Sequence, residues 1–92
     1  MRYKILIQKE AIIELLEAVE WYDKQSFGLG DKFTKEINKS FEKIASNPFN
    51  YSFVKSYFRR IKTNRFPYLI IYEVEDETVI INSIFHAKRK MF

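Results

Sequence analysis

From Lys9 to Asn47 the apolar residues recur at steps of three and four; beyond Pro48 they alternate or run together, so after Lys9 the hydrophobic period changes once, at Asn47-Pro48. A chain with helical period in its first half and strand period in its second cannot be a plain bundle or a plain barrel. Ile12, Leu15, Leu16, Val19 and Tyr22 define an amphipathic helix from Lys9 to about Gln25, with Glu10, Glu14 and Glu17 on a solvated face. Ser26-Phe-Gly-Leu-Gly30 interrupts it and holds both glycines of the chain. A second helix is predicted from about Asp31 through Phe33, Ile37, Phe41 and Ile44, ending at Asn47 because the following proline disfavours helix there.

The remaining segments read as strands. Residues 2–8 alternate Tyr3, Ile5 and Ile7 against Arg2, Lys4 and Leu6; runs 53–62, 66–75 and 78–86 are rich in Val, Ile, Phe and Tyr, with Glu75-Asp76-Glu77 as a hairpin tip between the last two. Run 66–75 is apolar on both faces, as in a central strand. The expected fold class is therefore α+β, in the order β-α-α-β-β-β, with a helical hairpin packed on one face of an antiparallel sheet. At 92 residues, 47% of them hydrophobic, the chain makes one domain, 1–92, with one core.

Charge and cysteine content limit the chemistry. The absence of cysteine removes disulfides, thiolate metal sites and a cysteine nucleophile, so no cofactor or metal is expected. No apolar run is long enough to span a membrane, and a cytoplasmic protein is expected. Residues 1–50 hold eight basic and eight acidic side chains, whereas residues 51–92 hold eight and four, so the whole +4 excess lies in the second half. There the acids crowd into Glu73, Glu75, Asp76 and Glu77. Lys55, Arg59, Arg60, Lys62, Arg65, Lys88, Arg89 and Lys90 are left as a candidate anion-facing, nucleic-acid- or target-binding set.

Arginine suits phosphate because its planar fork donates two parallel, charge-assisted hydrogen bonds. Arg59 and Arg60 are adjacent in a strand and cannot both serve one face unless the strand bulges or ends; the plainer reading is a solvated edge that resists aggregation. His86, the only histidine, could exchange a proton with a ribose hydroxyl or a leaving oxygen while arginines stabilise the charged transition state, or it could simply pack at the sheet end. The aromatic residues interleaved with the cations could stack bases, but core packing accounts for most of them.

Ala18-Val-Glu-Trp-Tyr22, Gly28-Leu-Gly30 with Phe33, Ile44 to Asn47-Pro48, Tyr51, Arg59-Arg60, Arg65-Phe-Pro-Tyr68, Tyr72-Glu-Val74, and His86 with Arg89 form an ordered set with defined gaps. In this the chain resembles the RelE/ParE superfamily of toxins from type II toxin-antitoxin systems, nearer the ParE-like, plasmid-stabilisation branch. The resemblance implies a growth-arresting toxin with a cognate antitoxin as partner, and either DNA gyrase or the ribosome and its mRNA as target. A RelE-like member would be a ribosome-dependent endoribonuclease, with His86, Arg60, Arg65 and Arg89 as catalytic residues; a ParE-like member would inhibit gyrase without catalysis. Leu69 stands where several ribonuclease members carry arginine, which favours the second. A reading from another class is a non-toxic RNA- or protein-binding module.

Overall fold

The computed structural model describes residues 2–88. The chain runs β1 (Lys4–Ile7), α1 (Lys9–Gln25), α2 (Leu29–Ser46), a single 3-10 turn (Pro48–Asn50), β2 (Phe53–Lys55), β3 (Phe58–Lys62), β4 (Tyr68–Glu75) and β5 (Thr78–His86). The sheet order is β1-β5-β4-β3-β2, with the two helices on one face. The α+β class, the helical hairpin and the central position of β4 follow the sequence reading.

Two features of the sheet differ from it. The expected strand 53–62 is two strands, because Ser56 adopts a left-handed backbone (φ 52°) and folds the run into a β2–β3 hairpin. The sheet is also mixed rather than wholly antiparallel: β1 pairs parallel with β5, whereas β2–β3, β3–β4 and β4–β5 are antiparallel. A parallel neighbour needs a long crossover instead of a tight turn, and β1 is joined to the remainder through the helices, which supply one.

The start of α2 has a tertiary cause. Gly28 takes a left-handed conformation (φ 82°), and the Gly30 N–H donates to Asp23 Oδ1 at 2.8 Å, so a carboxylate late in α1 caps the next helix. A Cβ on Gly30 would sit 2.6 Å from that oxygen. The glycine leaves room for the cap, and α2 begins at Leu29 rather than near Asp31.

The core lies between the helices and one face of the sheet. Tyr68, Ile70 and Tyr72 of β4 and Val79, Ile81 and Ile84 of β5 meet Ala11, Ala18, Tyr22, Phe33, Ile37 and Ile44. Within β4–β5, Ile71 faces Ser83 but Tyr72 faces Ile81, so Asn82 is an extra residue in β5, a bulge that keeps Ile81 and Ile84 both on the helix side. Where β1 has ended, Glu14 of α1 takes over its role at the β5 edge: its Oε1 accepts hydrogen bonds from the Ile84 N–H and the Ser83 hydroxyl, each at 2.9 Å. The sequence placed Glu14 on a solvated stripe. Instead its carboxylate satisfies backbone that would otherwise lack a strand partner.

Candidate functional site

Strand register decides where each cation points. Across β3–β4, Arg59 faces Tyr72 and Ile61 faces Ile70, both core residues, whereas Arg60 faces Ile71 and Lys62 faces Leu69. Arg60 and Lys62 therefore leave the face that the helices do not cover. Lys55 pairs with Phe58, on that same face. Lys55, Arg60 and Lys62 are exposed, and none is in an ion pair among the described residues. Together they form a positive rim beside an apolar strip made of the Leu6–Ile80 pair and, further along the face, Leu69, with the Glu73 carboxylate opposite Ile80 on the same face; Leu6 is 55% exposed.

Arg59 goes to the other side. Its Nη1 donates to the Tyr51 carbonyl at 2.6 Å and to the Phe49 carbonyl at 3.4 Å, while the guanidinium lies 3.9 Å from the Phe53 ring centroid and 5.4 Å from that of Phe49. Phe49 in turn meets the Tyr3 ring edge-on at 6.0 Å. This arginine fastens the connection between α2 and β2 to the sheet. The adjacent arginines thus face opposite ways, as strand geometry requires. Arg65 sits in the β3–β4 loop with a left-handed backbone (φ 70°) and is exposed.

Tyr72 closes the same connection from below: its hydroxyl donates to the Pro48 carbonyl at 2.6 Å inside the core. Burial pushes its phenol up to about 12 from the ordinary 10.0, partly opposed by the nearby Arg59 charge and reinforced by Tyr51. Because the unfolded chain ionises this group near 10 and the folded chain resists until about 12, its contribution is intact below pH 10 and is lost as pH rises toward 12. Urea midpoints measured from pH 9 to 12 should fall more steeply for the unaltered chain than for Tyr72→Phe. Equal slopes would show that this phenol does not govern alkaline stability.

His86 is not among the exposed cations. It pairs with Tyr68, whose ring it meets edge-on at 5.5 Å on the helix side of the sheet, and its Nδ1 accepts the Lys88 N–H at 3.1 Å. In the neutral ring the proton is then on Nε2. The histidine lines a groove of about 300 Å³ between α1 and the end of β5, with Glu14, Glu17 and Trp21 on the opposite wall. The structure brings Lys55, Arg60 and Lys62 together and separates His86 and Arg59 from them. Lys88 is exposed just beyond β5, and Arg89 and Lys90 lie outside the described residues. Among the described residues no group of carboxylates and histidine could hold a metal, and no helix is long and apolar enough to cross a membrane.

Sequence reasoning missed the anchoring roles of Arg59 and Glu14. Periodicity carries no signal for Glu14; for Arg59 the strand alternation, read with Ile61 as a core residue, could have placed it inward.

Comparison with known proteins agrees with this architecture. The model of the ParE toxin of the type II toxin-antitoxin system parDE matches residues 5–91. The chromosomal ParDE system of P. aeruginosa superposes with a TM-score of 0.82 at 13% identity, over 95% of this chain and 98% of that one. The intact E. coli RelBE toxin-antitoxin complex gives 0.70 at 21% identity, over 95% and 99%, and the isolated E. coli RelE toxin gives 0.69 at 20%, over 96% and 87%. No curated protein matches by sequence. With nearly its whole length matched by the family model and its helical hairpin on a five-stranded sheet, the chain belongs to the ParE toxin family of type II toxin-antitoxin systems.

Proposed function

We propose that this toxin arrests bacterial growth from the cytoplasm by binding DNA gyrase or a related target through the sheet face bearing Lys55, Arg60 and Lys62, and not by cutting mRNA. The observation that carries the reading is the separation of Arg60 and Lys62 from the histidine: these two cations leave the uncovered face, while His86 is on the helix side against Tyr68. A ribonuclease needs cations and a proton-transfer group converging on one phosphate. Leu69 supports the same reading, because it faces Lys62 across the strands and so sets an apolar side chain, not a cation, beside the rim.

The same surface suits a cognate antitoxin. A segment with apolar residues over Leu6, Ile80 and Leu69 and carboxylates toward Arg60 and Lys62 would cover the strip and neutralise the rim, so inhibition is by occlusion. The solved relatives include toxin-antitoxin complexes, in accord with such a partner.

Induced expression in a bacterium tests this. Growth should stop, chromosomal DNA should break while mRNA ends stay unchanged, and co-expression of a small acidic neighbour should restore growth. The double reversal Arg60→Glu/Lys62→Glu should abolish arrest, and His86→Ala should retain it. Codon-specific mRNA cuts that vanish in a folded His86→Ala variant would overturn the reading.

A further inference from the structure

Helix α1 buries Ala11, Ala18 and Tyr22 and packs on both α2 and β5. On the ridge directly opposite are Lys9, Ile13, Leu16 and Glu20, spaced four, three and four residues apart. Large aliphatic side chains there are unusually open: Leu16 is 61% exposed, Ile13 46%, and Ile12 beside them 41%. The ridge thus has a cation at one end, an anion at the other and an apolar centre. Lys9 and Glu20 are eleven residues apart, about three turns or roughly 16 Å along the axis, so they share one line.

We propose that this ridge is the interface of a homodimer, two copies of the chain packing α1 against α1 antiparallel about a two-fold axis midway between Ile13 and Leu16. In a two-fold contact, if residue i meets j then j meets i. Antiparallel pairing sets Ile13 on Leu16 and Lys9 on Glu20, each twice. Parallel pairing would instead set Lys9 on Lys9 and Glu20 on Glu20, so charge selects the direction. Glu20 already touches Lys24 of its own helix at 3.2 Å, an exposed pair of little strength that leaves the carboxylate able to take a second cation. A second copy is the favoured occupant because it matches the ridge at both ends with no further assumption.

One helix ridge per partner buries less than a standard interface, so the dimer is weak and reversible. The ridge is on the helix layer, on the far side from Arg60 and Lys62. A dimer formed this way turns its two uncovered sheet faces outward and is bivalent toward any partner that binds them.

Sedimentation of the full chain over a range of concentrations reads the dimer, with circular dichroism and thermal melting confirming that each variant is folded. Leu16→Glu places two carboxylates near the axis and should leave only monomer; Leu16→Gln, which adds no charge, should weaken association without threatening the fold. Lys9→Glu and Glu20→Lys should each weaken the dimer about tenfold by creating two like-charge contacts. Each reversal also suits the dipole of its own helix end, so folding is spared. The combined Lys9→Glu/Glu20→Lys variant should recover the original dissociation constant to within about twofold. A chain that stays monomeric at millimolar concentration, a dimer indifferent to Leu16→Glu, or a double reversal no tighter than the single ones would each overturn the proposal. If Leu16→Glu changes antitoxin capture while the unaltered chain is monomeric, the ridge serves another protein and the dimer is likewise refuted.

Discussion

Phe33→Ala is expected to lower the stability of this domain by about 3–5 kcal/mol, a large part of the 5–15 kcal/mol that domains of this kind possess. Phe33 has no solvent exposure and sits where α1, α2 and the sheet meet. Its ring lies 5.1 Å from Tyr22, 5.3 Å from Phe66 and 4.8 Å from Tyr68, the last two edge-on. Truncation removes three aromatic contacts and leaves a cavity between a helix and a strand. The helix cannot settle into that cavity, because Asp23 ties its first turn and Asn47-Pro48 leads directly from its end into the sheet. Urea denaturation gives the figure, and Phe33→Leu should cost distinctly less. A loss under about 1 kcal/mol would mean that the helical hairpin repacks, and that this cluster does not fix the helices on the sheet.

The second large effect belongs to Arg59→Ala, for which about 2 kcal/mol of destabilisation is expected. The variant strips a charged donor from the carbonyls of Tyr51 and Phe49 and uncovers the Phe53 ring. Arg59→Lys should recover only part of the loss, because an ammonium cannot reproduce the flat guanidinium that lies over Phe53 while donating to Tyr51. By contrast Arg60→Ala, whose side chain is exposed on the other face, should leave the melting temperature almost unchanged. Thermal melts of the two alanine variants side by side decide the matter. If both are equally stable, Arg59 is a surface cation and the division of labour between these neighbours is wrong.

The sequence alone settled the outline: two helices, a break between them reaching to Gly28, their stop at Asn47-Pro48, and β-rich runs with β4 in the middle. Those are local matters, set by hydrophobic period and by residues with restricted or unusual backbone freedom, and a reader of the chain needs no partner strand to see them. Which face each cation takes is not local. Arg59 and Arg60 differ in role only because Arg59 is registered against Tyr72 and Arg60 against Ile71, and a slip of one residue would exchange them. His86 comes to the helix side through the register shift at Asn82. Glu14 became a backbone partner because β1 stops at Ile7 and leaves part of β5 uncovered. The parallel β1–β5 pairing and the Asp23 cap on α2 likewise join residues distant along the chain or across a turn. Their free energy exists only once the elements have met, so tertiary structure alone decided them.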